Sequence, residues 1–277
     1  MKIELRYFTG TGNSLKVLKS CADCFAEKGA EVHLSSITLG ENIGEADLIG
    51  FCFPVYAFGI PRICRKYLKS LKRFKQSQQA FVLITAGSAD ESGLSVMESE
   101  RILRKKNGSV IYSAVVEMPI NWIVSMNPPT REEAVPIIEK GVAQARKIAE
   151  DLLNGINQHH RFNYPKRYSR LGFYKDYLLF KYLGIYNLWR MYEVNSSCNG
   201  CGLCSRICPV RGIEMVSRKP VWNSRCEQCM RCVNCCPNEA IHQLYGGNTS
   251  GRNRYLEPDF KPLKEENLLR LDWPSLK

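Results

Sequence analysis

The chain has 277 residues, 44% of them hydrophobic, which is long enough for two domains and rich enough for at least one large core. No stretch reaches the ~18 uncharged apolar residues of a membrane span; the most hydrophobic run, 173–192, is broken by Lys175, Asp176, Lys181 and Arg190. The formal charge of +12 invites an acidic partner or a nucleic acid, but the lysines and arginines are scattered without a long run, which argues against a nucleic-acid interface.

The first half of the chain alternates between β-rich apolar runs and helical patterns. Strands are expected at 2–8, 31–37, 47–53, 79–85 and 109–117. Between them, 13–28 places Leu18, Cys21 and Phe25 on one helical face, 61–71 opens on a proline suited to a first turn, and 92–105 is helix-like. Such alternation predicts βαβ units and a doubly wound parallel α/β sheet. Ligands of such sheets sit beyond the carboxyl ends of the strands, where the winding reverses, so the loops after the first, third and fourth strands are the places for one.

An irregular stretch, 118–130, precedes Thr130-Arg131-Glu132-Glu133, which has capping-box form and opens a helix carrying Val135, Ile138, Val142, Ala145, Ile148 and Leu152. Pro136 fits badly there and predicts a kink or a later start. Residues 154–166 read as a linker, and 169–192 as an aromatic-rich helical segment whose mixed charges predict packing between domains or onto a partner. The expected division is a first domain at 1–157, linker and aromatic helix at 158–193, a cysteine-rich domain at 194–245 and a polar tail at 246–277, to which nothing specific is assigned.

Nine of the 13 cysteines fall between Cys198 and Cys236. Cys198-x-x-Cys201-x-x-Cys204-x-x-x-Cys208-Pro209 recurs 28 residues later as Cys226-x-x-Cys229-x-x-Cys232-x-x-x-Cys236-Pro237, a duplicated 4Fe-4S signature. A two-residue spacer lets a tight loop present three thiolates to one cubane, while the fourth cysteine reaches the other cluster. The expected ligand sets are therefore interlocked: Cys198, Cys201, Cys204 and Cys236 for one, Cys226, Cys229, Cys232 and Cys208 for the other. Zinc sites pair cysteines as C-x-x-C and seldom continue to a third and a C-P. Cys235 reads as a packed or free thiol, and Cys21, Cys24, Cys52 and Cys64 as small core residues. A disulfide framework belongs to short secreted domains, and Met1 to Arg6 runs into a strand with no visible signal peptide, so a reducing, cytoplasmic location is expected.

The loop after the first strand, Phe8-Thr9-Gly10-Thr11-Gly12-Asn13-Ser14, lacks the Gly-Lys-Ser/Thr of Walker A, and Leu15 stands where the dinucleotide fingerprint needs its third glycine. Hydroxyls, an amide and glycines surround a helix N-terminus, which favours a phosphate held by neutral dipoles. Here the chain resembles the flavodoxin family, whose FMN-phosphate loop has this T-x-T-G-N-S/T form. That resemblance implies a five-stranded sheet in the order 2-1-3-4-5, with Thr9, Gly10, Thr11, Gly12, Asn13 and Ser14 on the FMN phosphate. It further implies that Pro54, Val55, Tyr56, Ala57, Phe58 and Gly59, with Ala86, Gly87, Ser88, Ala89 and Asp90, flank the isoalloxazine, Tyr56 or Phe58 stacking on it. A 118–122 loop bordering the flavin is a further expectation. Together the two halves resemble the flavodoxin-ferredoxin fusion proteins of anaerobic microbes, whose second part is a small α+β ferredoxin-like domain.

The expected function is an intracellular relay of electrons between FMN and two 4Fe-4S clusters, with a redox protein as donor or acceptor and neither nucleic acid nor transmembrane segment involved. No paired-carboxylate or Ser-His-Asp constellation compels a dedicated reaction, and the four histidines fall in no metal spacing. The alternative is a flavin-dependent oxidoreductase whose site opens to a small acceptor such as a quinone. Two clusters at roughly −2 each and a flavin phosphate at roughly −2 would leave about +6, so part of the basic excess is counter-charge.

Overall fold

The computed structural model describes residues 1–162, 169–245 and 249–264. Five parallel strands, β1 (Lys2–Tyr7), β2 (Glu31–Ser36), β3 (Leu48–Pro54), β4 (Gln79–Ala86) and β5 (Ser109–Glu117), pair in the order β2-β1-β3-β4-β5. This is the flavodoxin-like doubly wound order, with its reversal between β1 and β3. Successive strand side chains point to opposite faces, so the sheet divides the core in two. Leu5, Tyr7, Phe81 and Leu83 pack on α1 (Asn13–Glu27) and α4 (Arg131–Leu153). Phe51, Phe53, Val82 and Ile84 pack on α2 (Arg62–Ser70) and α3 (Ser95–Arg104). Cys21, Cys24, Cys52 and Cys64 are all buried in these two cores.

The capping box of α4 is complete, with Glu133 N–H on Thr130 Oγ1 at 3.3 Å and Thr130 N–H on Glu133 Oε2 at 2.8 Å. Of the kink or later start expected at Pro136, the later start does not occur: the proline sits inside the helix. Its missing N–H deprives the carbonyl of Glu132, an exposed residue in the first turn of the helix. Helix α3 begins later than expected, after a 3-10 turn at Ala89–Glu91 and Gly93 at φ 54°.

Of the expected linker, 154–162 is described and 163–166 lies outside the described residues. Gln158 extends the sheet edge, donating to the Ile111 carbonyl at 3.1 Å and accepting from Ser113 N–H at 2.8 Å. The aromatic-rich segment forms α5 (Arg170–Leu179), a π turn (Phe180–Gly184) and a 3-10 stretch (Ile185–Met191). It packs on the first domain. Phe173 meets Phe58 at 5.4 Å, and the buried Glu98 of α3 accepts from Arg65 and, at 2.8 Å, from Lys181.

The cysteine-rich region comprises β6 (Tyr192–Val194), α6 (Leu203–Arg206), β7 (Ile213–Val216), β8 (Lys219–Trp222), α7 (Arg231–Asn234) and β9 (Ile241–Gln243). β6 pairs antiparallel with β9, and β7 with β8. Ile123 and Val124, from the irregular loop after β5, are buried in the core of this region beside Trp222, Met230 and Val233. Among the described residues no helix is long and apolar enough to cross a membrane.

Candidate functional site

Gly12 caps α1 at φ 111°, its N–H bonded to Thr9 Oγ1 at 3.0 Å. A glycine cap supplies no side-chain acceptor, so the first-turn N–H groups of α1 remain for an anion, which the helix dipole also favours. This loop walls one end of a cavity of ≈ 740 Å³ at the carboxyl edge of the sheet, a volume typical of cofactor sites. Thr9, Gly10, Thr11, Asn13 and Ser14 line it, as do Pro54, Val55, Tyr56, Ala57 and Phe58 after β3 and Ala86 and Gly87 at the end of β4.

Five residues expected at the site do not line this cavity. Gly12 backs onto the C-terminal segment, where a Cβ would come within 2.5 Å of Glu257. Gly59 exchanges backbone hydrogen bonds with Tyr56 at 2.7 and 3.1 Å. Ser88, Ala89 and Asp90 enter the 3-10 turn, where Ala89 N–H reaches Glu117 at 3.3 Å, and Glu91 lines the cavity instead.

Several side chains of the first loop are engaged within the protein. Ser14 and Thr85 share a hydroxyl hydrogen bond of 2.8 Å, and Thr11 Oγ1 accepts from Asn121 at 3.0 Å. The Asn13 amide donates to the Pro119 carbonyl at 2.7 Å and accepts from the Tyr255 hydroxyl at 2.6 Å. These side chains fix the loop's shape, and its backbone N–H groups become the principal donors. Ala57 and Phe58 both hold positive φ, 49° and 61°, in a tight turn. Such non-glycine backbone costs on the order of 1–3 kcal/mol per residue and is held here by Phe58 packing on Phe173 and by Leu94 N–H on its carbonyl at 2.6 Å. The Tyr56 hydroxyl is buried without a hydrogen-bond partner among the described residues, a cost that a polar ligand atom in the cavity would relieve.

The eight repeat cysteines surround two small spaces. Cys208, Cys226, Cys229 and Cys232 line one, and Cys198, Cys201, Cys204 and Cys236 the other, which Cys232 and Cys235 also border. No three His, Cys, Asp or Glu side chains among the described residues gather tightly enough for a single metal ion. Burial pushes the Cys204 and Cys229 thiols up to about 11, Arg231 pulling against it at Cys229. Amides approach the sulfurs at equivalent points of the two copies, Gly212 N–H to Cys208 at 3.1 Å and Ala240 N–H to Cys236 at 3.4 Å. The backbone repeats too: Gly200 and Gly202 at φ 73° and 71° correspond to Gln228 and Met230 at 57° and 58°.

The two sites share a wall. A Cβ on Gly10 would lie 2.4 Å from the Cys229 carbonyl oxygen, so only glycine permits this approach of the loops. Arg231, 2% exposed, donates to the carbonyls of Thr9 at 2.7 Å, Gly10 at 2.8 Å and Ile207 at 3.0 Å. By holding the Thr9 and Gly10 carbonyls it fixes the adjoining peptide planes of the loop. Asn121 bridges Thr11 and the Cys229 carbonyl, and Arg62 of α2 pairs with the buried Glu227 at 2.9 Å. Glu257 N–H bonds the Thr11 carbonyl at 2.9 Å, while Lys16 is taken up by Asp259 at 2.5 Å. The tail to which the sequence assigned nothing therefore braces the first loop over 249–264, and 265–277 lies outside the described residues.

Neither a family model nor a curated protein matches this chain. Among solved structures, a short-chain flavodoxin associated with a non-canonical PDU bacterial microcompartment shares 16% identity over 56% of this chain and 98% of its own, at TM-score 0.39. A flavodoxin of Streptococcus pneumoniae TIGR4 shares 15% over 56% and 100%, at 0.41. A flavone reductase shares 12% over 83% and 86%, at 0.41. The fold assignment rests on the strand order rather than on these likenesses.

Sequence reasoning missed part of the cavity wall. Phe180, Ile185 and Leu188 from the aromatic-rich segment line it, as do Ser125, Met126 and Tyr245. The unusual aromatic density of 173–192 was the available signal, but nothing local tells a domain-packing helix from a cavity wall.

Proposed function

We propose that this chain is an electron-transfer protein that holds FMN in the cavity beyond β1, β3 and β4 and two 4Fe-4S clusters in the two cysteine-lined spaces. FMN would supply a two-electron couple and the clusters one-electron couples, so the pairing converts between the two kinds of carrier. The loop from Thr9 to Ser14 binds the phosphate through backbone N–H groups, Tyr56 offers its unpartnered hydroxyl, and Phe180, Ile185 and Leu188 keep water from one side. The cysteine partition supports the interlocked ligand sets, and the amides at Cys208 and Cys236 would stabilise thiolate charge.

The observation that carries this reading is the direct contact of the Gly10 backbone with the Cys229 carbonyl, which joins the phosphate loop to a ligand of the inner cluster. The test is the flavin and iron released per chain after anaerobic purification: near one FMN and about eight irons are expected. Iron without flavin would reduce the first domain to a docking module, and flavin without iron would refute the relay.

A second reading, an FMN and iron-sulfur oxidoreductase acting on a small acceptor, is favoured by the extension of the cavity to Trp122, Met126 and Tyr245 beyond the three loops. Steady quinone turnover with reduced ferredoxin as donor would establish it; no turnover would leave the carrier.

A further inference from the structure

The two cysteine-lined spaces differ in what surrounds them. Cys226, Cys229 and Cys232 are buried and their loop faces the first domain, whereas Cys201 is exposed, the most accessible of the eight repeat cysteines. The β7-β8 hairpin is a single layer between the outer space and solvent. Its inner side contributes Met215 and Pro220 to the wall, and its outer side carries Val216 and Val221, 54% and 50% exposed, with Lys219 opposite Val216 in register.

The segment from Cys198 to Arg225 carries five cations, Arg206, Arg211, Arg218, Lys219 and Arg225, against one carboxylate, Glu214, which stands opposite Val221 on the outer side of the hairpin. Three of them lie over the outer cysteine loop: Arg206 donates to the Cys201 carbonyl at 3.0 Å, Arg218 to Asn199 at 3.0 Å and Lys219 to Cys198 at 3.2 Å. A small apolar centre with a charged rim over the exposed edge of a redox site suits a weak, fast encounter, in which opposite charge steers association and a small contact lets go quickly.

We infer that this hairpin face is the docking site of a small acidic electron-carrier protein, which exchanges electrons with the outer cluster. The inference rests on the iron-sulfur reading above. One electron passes per encounter, from the reduced member of the pair to the oxidised one, and no bond forms.

The test uses the anaerobically purified full chain and, as probe, a small acidic single-cluster ferredoxin. Both the binding affinity and the second-order electron-transfer rate are measured as salt is raised. The wild type should lose affinity and rate steeply with salt. Arg218→Glu with Lys219→Glu should lower both at least about tenfold at low salt and flatten the slope, since a close charge contact carries about that much. Arg218→Gln with Lys219→Gln should fall between, and Lys72→Glu, exposed on the first domain, should behave as wild type. Unchanged affinity and slope in the reversal variant at full iron content would overturn the docking face while leaving the relay intact. A wild type without iron would overturn the relay, and binding of the acidic ferredoxin to the same preparation would still judge the face.

Discussion

Replacing Arg231 with methionine tests the joint between the two sites. The guanidinium is 2% exposed and makes hydrogen bonds of 2.7, 2.8 and 3.0 Å to three carbonyls, with the Phe260 ring 5.2 Å from its centre. Charge-assisted hydrogen bonds contribute about 1.5–3 kcal/mol each without adding fully, so losing three and leaving their acceptors dry costs about 3–5 kcal/mol. For a chain of this size that is a fall in melting temperature of roughly 10 °C. The stability loss alone would not distinguish a joint from ordinary packing. The specific consequence lies at Thr9 and Gly10: once their carbonyls are released, the peptide N–H groups lose their orientation toward the phosphate. Anion binding at a helix N-terminus is worth up to ~2 kcal/mol, so FMN affinity should fall about tenfold. Riboflavin lacks the phosphate, and its affinity should fall little. Arg231→Lys, which keeps charge but not the fork, should lie between. Amide hydrogen exchange at 10–14 should accelerate in both variants. Equal losses of FMN and riboflavin affinity, or no loss of either, would refute the role of Arg231 in shaping the loop.

Gly10→Ala places a carbon 2.4 Å from a backbone oxygen on the facing loop, so it should cost about 2 kcal/mol in denaturant unfolding and lower flavin and iron content together; full retention of both would sink the shared wall. Cys208→Ser should give the iron content and reduced-state EPR spectrum of Cys229→Ser rather than of Cys201→Ser, because Cys208 lines the same space as Cys229; the opposite resemblance would unlink the proposed sets. At Glu98, burial pulls the carboxyl upward, but Arg65 and Lys181 outweigh it and hold the pKa below the usual 4.5. A depressed carboxylate contributes stability that is complete above its unfolded value and lost as pH falls through the folded one. The aromatic segment should therefore loosen below about pH 4.5, read as faster hydrogen exchange in 171–191, and Glu98→Gln should lose that dependence; identical acid profiles would count against the clamp.

The sheet was legible because its strands are near-continuous apolar runs bounded by turn residues, and because buried parallel strands leave little freedom in where they begin. The loop after β1 was legible from its residue types, though not the division of labour within it: Asn13 reads as a phosphate donor in sequence, but its amide is held by Pro119 and Tyr255. Those partners lie 106 and 242 residues away, and no local pattern announces them. Of the kink or later start expected at Pro136 the later start did not follow, since the capping box of Thr130 and Glu133 sets where the helix begins. The role of 249–264 was invisible because a brace made of single contacts by Tyr255, Glu257 and Asp259 has no periodicity.

The two copies of the cysteine motif have diverged according to what each faces. In the first, Gly200 and Gly202 take the left-handed positions at no steric cost, and the loop lies open beneath Arg218 and Lys219. In the second, the same positions are Gln228 and Met230, both buried, which take left-handed φ at a cost that packing must offset. The offset is identifiable: Gln228 reaches the Cys226 sulfur through its side-chain amide at 3.3 Å and accepts from Tyr192 at 3.1 Å, while Met230 sits in the core with Ile123 and Val124. Where Leu203 stands in the first copy the second has Arg231, and where Asn199 stands it has Glu227, the two charged residues that bind the first domain. Contact with the first domain accounts for the buried charge and the strained backbone of the second copy. The asymmetry follows if the second copy is the inner end of a path that starts at the cavity, and the first copy, basic and exposed, is its outer end.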